Sequence, residues 1–138
     1  MAKLQVELVT AEGRVFSEPA DFVRAPGADG ELGIMPQHLA LLTPLQTGEV
    51  KVVNDGHEEF FFVTGGFLEV LPDRVVILAD AAERADDIDA ARAEEARSRA
   101  QAALAANETD AAAAASLERA VFRIKVAGVR RRHKSRNQ

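Results

Sequence analysis

The chain has no cysteine, no tryptophan and no tyrosine among its 138 residues. Without cysteine there is no disulfide, no thiolate metal site and no cysteine nucleophile. Seven Phe are its only aromatics, so a core drawn from its 47% hydrophobic residues is mostly aliphatic. Phe122 is the only aromatic after Phe67, which leaves the C-terminal half without the stacking platforms that single-stranded nucleic acid uses. No apolar run approaches the roughly 20 residues that span a bilayer. Met1 to Val9 alternate polar and apolar instead of forming a basic leader and an apolar block. The expectation is one compact domain, or a small domain with an appendage, that stays in the compartment where it is made.

Catalytic constellations are equally scarce. The three histidines, His38, His57 and His133, are each alone in sequence, with no metal-ligand spacing. No nucleophile elbow marks a serine site. Gly65-Gly66 is followed by no Lys-Ser/Thr pair and is not a phosphate loop; a bulge or a close strand crossing explains it. Asp86, Asp87 and Asp89 stand where a helix begins, and helix capping accounts for them more simply than a cation does. The reading is a non-enzyme with no resident metal.

Charge is present but segregated. Residues 119–138 carry eight Arg and Lys and no acid, against a net charge of −5 for the whole chain, so the other 118 residues carry −13. A basic terminus on an acidic body points to an acidic partner, or less specifically to nucleic acid or anionic lipid. For nucleic acid the acidic body is repulsive, which leaves that alternative remote.

Residues 3–79 read as strands and tight turns. Leu4-Gln5-Val6-Glu7-Leu8 alternates as a half-buried strand should. Asn54-Asp55-Gly56 separates two strand-like runs, a hairpin signal because these residues tolerate positive φ. Leu71-Pro72-Asp73 makes another turn. Near Ala81 the period changes, and an Ala-rich stretch almost free of Gly and Pro follows. Helices are expected over about 87–105 and 110–128, with Asn107-Glu108-Thr109-Asp110 as turn and cap. The first carries a thin stripe of Ile88, Ala91, Ala96, Ala103 and Leu104, the second one of Leu117, Ala120, Val121 and Ile124. The fold class is therefore α+β: a β-sandwich or flattened barrel over residues 1–84, then an antiparallel two-helix hairpin with a basic tail over 85–138. Within the first part, Gly30 to Leu45 mixes apolar residues with Gly, Pro and His38, too interrupted for one regular strand. It reads as a core-crossing connection or as an apolar partner surface that includes Met35 and Leu41.

That segment, followed by Phe62-Val63-Thr64-Gly65-Gly66-Phe67-Leu68-Glu69-Val70 and by Val76 to Ala85, resembles the epsilon subunit of bacterial F-type ATP synthase. The likeness runs from about Val6 to Ala127, with two departures: Gln37 stands where the family usually carries Gly before the His, and the tail from Arg130 to Gln138 is longer and more basic than the common pattern. The resemblance implies a sandwich clamped to the gamma subunit and to the c subunits of the rotor ring, with Glu31 and His38 at those contacts. It also implies a helical hairpin that folds down on the sandwich or extends into the catalytic head and blocks ATP hydrolysis. Arg119, Arg123, Lys125 and Arg130, Arg131 and Arg132 would then meet an acidic segment of the beta subunit. The family's nucleotide motif stands as Ile88-Asp89-Ala90-Ala91-Arg92-Ala93, Glu83 matches an upstream position, and Arg119 and Arg123 match a pair on the second helix. ATP is thus implied as a regulatory ligand, with no cofactor required. Arginines four apart share a helix face and can grip phosphates, although simple ion pairing would also explain them. The implied location is the cytoplasmic face of the bacterial inner membrane, reached only through the complex.

Overall fold

A computed structural model describes the backbone of residues 2–136 and the side chains of residues 2–128. The chain divides into two units, Met1–Arg84 and Ala85–Gln138.

The first unit is all β. Its strands are β1 (Leu4–Thr10), β2 (Gly13–Ala20), β3 (Phe22–Gly27), β4 (Gly30–Ile34), β5 (Leu41–Asn54), β6 (His57–Leu71), β7 (Arg74–Ala79) and β8 (Ala82–Arg84). They hydrogen-bond in the order β2-β1-β7-β6-β5-β3-β4, with β8 on β6. The β1–β7 pair is parallel and the other pairs are antiparallel. Two strands lie between β2 and β6 in that order, yet the rings of Phe16 and Phe61 meet edge to face with centroids 5.1 Å apart. The sheet therefore closes over itself as a sandwich. Leu4, Val6 and Leu8, Leu68 and Val70, Val75 and Ile77, and Phe61 and Val63 alternate into one aliphatic core.

Turn chemistry sets the register. Asp55 and Gly56 both have positive φ, 52° and 80°, the type I′ geometry that matches strand twist, so β5 and β6 form a long hairpin. At Gly65 and Gly66, with φ of 95° and 115°, β6 changes partner from β8 to β7. A Cβ on Gly66 would lie 1.9 Å from the Leu78 carbonyl oxygen, so the pair is a close backbone approach. Gly30 to Leu45 is more regular than its composition implies: it supplies β4 and the start of β5, and only the stretch 35–40 is a loop. Pro44 lies just beyond the last β3–β5 partners, Gly27 and Leu45, where its carbonyl accepts from the Ala28 amide at 2.9 Å and the ladder asks for no further donor.

The second unit opens with a 3-10 turn, Ala85–Asp87, followed by α1 (Ala90–Ala106) and α2 (Ala111–Arg136). Asp89 is the N-cap of α1, its carboxylate accepting from the Arg92 amide at 3.2 Å. Asp110 caps α2 through the Ala113 amide at 3.0 Å. Asn107 closes α1 and accepts from Thr109 in the turn. The first helix thus begins three residues later than expected, because Asp89 takes the capping role ahead of Ala90. The second runs past Gly128, since one interior Gly costs only about 1 kcal/mol and good helix formers follow. The expected stripes hold in large part: Ile88 is buried ahead of α1, Ala96, Ala103 and Leu104 are half-buried on it, and on α2 Leu117 and Ile124 are half-buried beside buried Ala120. Ala93 and Ala100 are buried on α1 while Ala91 is exposed. On α2, Ala113, Ala120 and Ala127 are buried, seven apart, while Val121 is half exposed. The two misses are Ala91 and Val121, because in helices this rich in alanine apolar periodicity marks the packed face only loosely.

Candidate functional site

Three sets of side chains stand out: one on the sandwich, one on the helices, and the basic terminus.

On the sandwich, Met35, Pro36, Gln37, His38 and Leu39 form the loop between β4 and β5. Gln37 adopts φ 71°, and its amide donates to the Pro72 carbonyl at 2.7 Å, tying the loop to the β6–β7 turn. The His38 amide donates to the Met35 carbonyl at 3.2 Å, and its Nδ1–H donates to the Leu39 carbonyl at 2.7 Å. Glu31 is exposed on β4, 3.9 Å from the Arg24 guanidinium. Met35 is 59% exposed and Leu39 83%. Leu41 is half-buried and packs against the core, while its neighbour Leu42 points outward at 68% exposure.

Leu42 continues into a face that the sequence reading missed. Pro44 of β5 pairs with Phe67 of β6, and Phe67 with Leu78 of β7. Side chains opposite one another in a ladder share a face, and Phe67 and Leu78 are each about half exposed. With Leu71 at the margin, these residues make an apolar stripe across three strands on the outer face. The available signal was that Gly66-Phe67-Leu68-Glu69-Val70-Leu71 is apolar at both parities except at Glu69. A strand with one wet face alternates; one covered on both faces does not.

On the helices, Ile88 and Ala93 are buried, whereas Asp89 and Arg92 are exposed at the start of α1. Asp89 is engaged as the cap, so its carboxylate faces the first-turn amides. On α2, exposed Arg119 donates from its guanidinium to the Ser116 hydroxyl at 3.1 Å, and Arg123, one turn on, is half-buried with a partner of its own. Glu83 belongs to β8 of the sandwich, opposite Phe62, and is half-buried and engaged. The side chains of Arg130, Arg131 and Arg132 lie outside the described residues; their backbone continues α2.

Among the described residues, no group of three His, Asp or Glu side chains is placed to hold one metal ion. No helix among them is long and apolar enough to cross a membrane.

Family comparison agrees with the two-part architecture. The model of the ATP synthase delta/epsilon chain β-sandwich domain matches residues 3–85, and that of the delta/epsilon chain long α-helix domain matches residues 86–128. The chain is 53% identical over 141 aligned positions to the ATP synthase epsilon chain of Dehalococcoides mccartyi strain CBDB1, covering 96% of this chain and 98% of that one. It is 50% identical over 131 positions to the ATP synthase epsilon chain of Herpetosiphon aurantiacus, covering 93% and 96%. Among solved structures, a chain of the Euglena gracilis mitochondrial ATP synthase shares the fold with a TM-score of 0.76 at 22% identity, over 94% of this chain and 82% of that one.

Proposed function

Because the chain belongs to the ATP synthase delta/epsilon family, as an epsilon-type accessory subunit and not a catalytic one, we propose that it works in the central stalk of a proton-translocating synthase, joining gamma to the c ring. The exposed apolar stripe of Leu42, Pro44, Phe67 and Leu78 carries this reading, because a stably folded accessory subunit leaves such a face open for a partner. Gamma covers the stripe, and the adjoining 35–40 loop with Glu31 and His38 meets the polar loops of the c subunits. In this reading the protein reaches the cytoplasmic face of the bacterial inner membrane through those partners alone.

The helical unit is the regulatory part. Its +8 terminus, from Arg119 through Arg136, matches an acidic segment of the beta subunit, and insertion there blocks ATP hydrolysis. ATP binds the helical unit through Arg92, Arg119 and Arg123, with Ile88, Asp89 and Ala93 supporting the first turn of α1. Such a ligand stabilises its state by about 2.7 kcal/mol when present at 100 times its Kd, and by only about 0.4 kcal/mol when equal to it.

Calorimetric titration of ATP into the full chain tests this sensing role, alongside an Arg119→Ala/Arg123→Ala variant. One-to-one binding lost in the variant is expected. No heat up to millimolar ATP would reduce those arginines to helix pairing and beta-subunit contacts, leaving a structural coupling subunit without ATP sensing.

A further inference from the structure

The last residue of the sandwich is held by an aromatic clasp. The guanidinium carbon of Arg84 lies 5.4 Å from the Phe61 ring centroid and 5.6 Å from that of Phe16. Both distances fall within the roughly 6 Å at which a cation is drawn to an aromatic face. Phe16 and Phe61 are themselves in edge-to-face contact and buried in the core, so their faces are rigidly presented. Arg84 Nη1 also stands 3.5 Å from Glu59 Oε2, at the margin of the clasp.

What this side chain holds is small. β8 has three residues, pairs only with β6, and all three of its side chains are half-buried. None of its residues reaches the aliphatic core as a buried member; Ala82 packs against it only in part. A strand so short has little pairing of its own to keep it docked. The helical unit begins at the next residue, Ala85. Docked, β8 leaves no free residues between the units. Released, it adds three residues, up to about 10 Å of reach.

We infer that Arg84, seated on Phe16 and Phe61, is a latch that keeps β8 paired with β6 and so sets the length of the tether to the helical unit. The stacking on two buried rings holds it, with the partly exposed Glu59 carboxylate secondary. The latch and the rings that hold it lie within the sandwich and are tested on the isolated full chain, so failure of the latch leaves the proposed partners and ATP sensing untouched.

Amide hydrogen exchange reads the latch directly. Arg84→Met keeps the aliphatic stem and removes the cation, and should speed exchange across β8 by about tenfold, the scale of a partly desolvated cation–π contact. Exchange in β1 and β7 should stay unchanged. Glu59→Gln should change β8 exchange by no more than about twofold, as expected for a partly exposed ion pair. Unaltered β8 protection in Arg84→Met would overturn the latch, and so would equal acceleration across β1, β6, β7 and β8. A full effect from Glu59→Gln would assign the hold to the ion pair and overturn the stacking account.

Discussion

The amide of Gln37 donates to the carbonyl of Pro72 across 2.7 Å, with Gln37 in the left-handed region at φ 71°. The bond holds the 35–40 loop beside the β6–β7 turn, and it requires a backbone conformation that a side chain disfavours.

Gln37→Gly should therefore stabilise the sandwich slightly. Relief of left-handed strain is worth about 1–2 kcal/mol, offset by about 0.5–1 kcal/mol of extra unfolded-state entropy. Gln37→Val, β-branched, should destabilise. Urea midpoints of the three proteins settle the order; a lower midpoint for Gly than for Gln contradicts it.

Gly66 is constrained differently, by space as well as φ. A methyl there would sit 1.9 Å from Leu78 O, and backbone must move to admit it. Gly66→Ala should cost about 3 kcal/mol or more, the range of severe backbone lesions. Gly13 also has positive φ, 129°, but a Cβ there meets nothing within 4 Å. Its Ala variant should be clearly milder in the same assay. Equal losses would remove the Leu78 contact as the cause.

Acid stability should depend on Lys3. Its ammonium lies 2.6 Å from Asp21 and 2.8 Å from Asp55, and donates to the Asn54 side chain at 2.7 Å. The Lys3 hydrogen bond, then the Asp55 amide, hold the Asp21 carboxyl below its usual 3.8. That contribution is present above the usual value and lost as pH falls through the lowered one. Lys3, raised above 10.5 by Asp21 and then Asp55, contributes fully below that pH and loses its contribution only as pH rises through the raised value. Lys3→Met should thus flatten the loss of stability below about pH 4. A Lys3→Met curve parallel to the parent's would show that the pair contributes nothing.

Phe67→Glu should separate folding from association. Phe67 is half exposed on an outer face, so stability should change by only about 0.5 kcal/mol. Affinity for gamma should fall by about 2 kcal/mol, the cost of losing an interface anchor. Unchanged gamma binding would move that interface off the stripe.

Legibility in the sequence tracked how local each determinant is. The β5–β6 turn was readable because Asp55 and Gly56 are residues that accept positive φ wherever they occur. Asp110 and Asn107 were readable as cap and turn because their side chains accept from backbone amides two or three residues on. The packed face of α1 was readable only in part: Ala96, Ala103 and Leu104 lie on it, but alanine marks no side sharply enough to exclude Ala91. β8 was missed because three residues carry no period, and Arg84 is held by Phe16, far away in the chain. The outer stripe emerges only once the register sets Pro44, Phe67 and Leu78 side by side. Of the nucleotide motif, Asp89 proved to be the α1 cap that the run of acids had implied for this end of the helix.

The most direct test of the division of labour measures ATP hydrolysis by a synthase head carrying either the full chain or residues 1–84 alone. Both should bind gamma, and only the full chain should slow hydrolysis. Equal slowing by the two would place inhibition in the sandwich, and failure of residues 1–84 to bind gamma would contradict the assignment of that contact to the outer stripe.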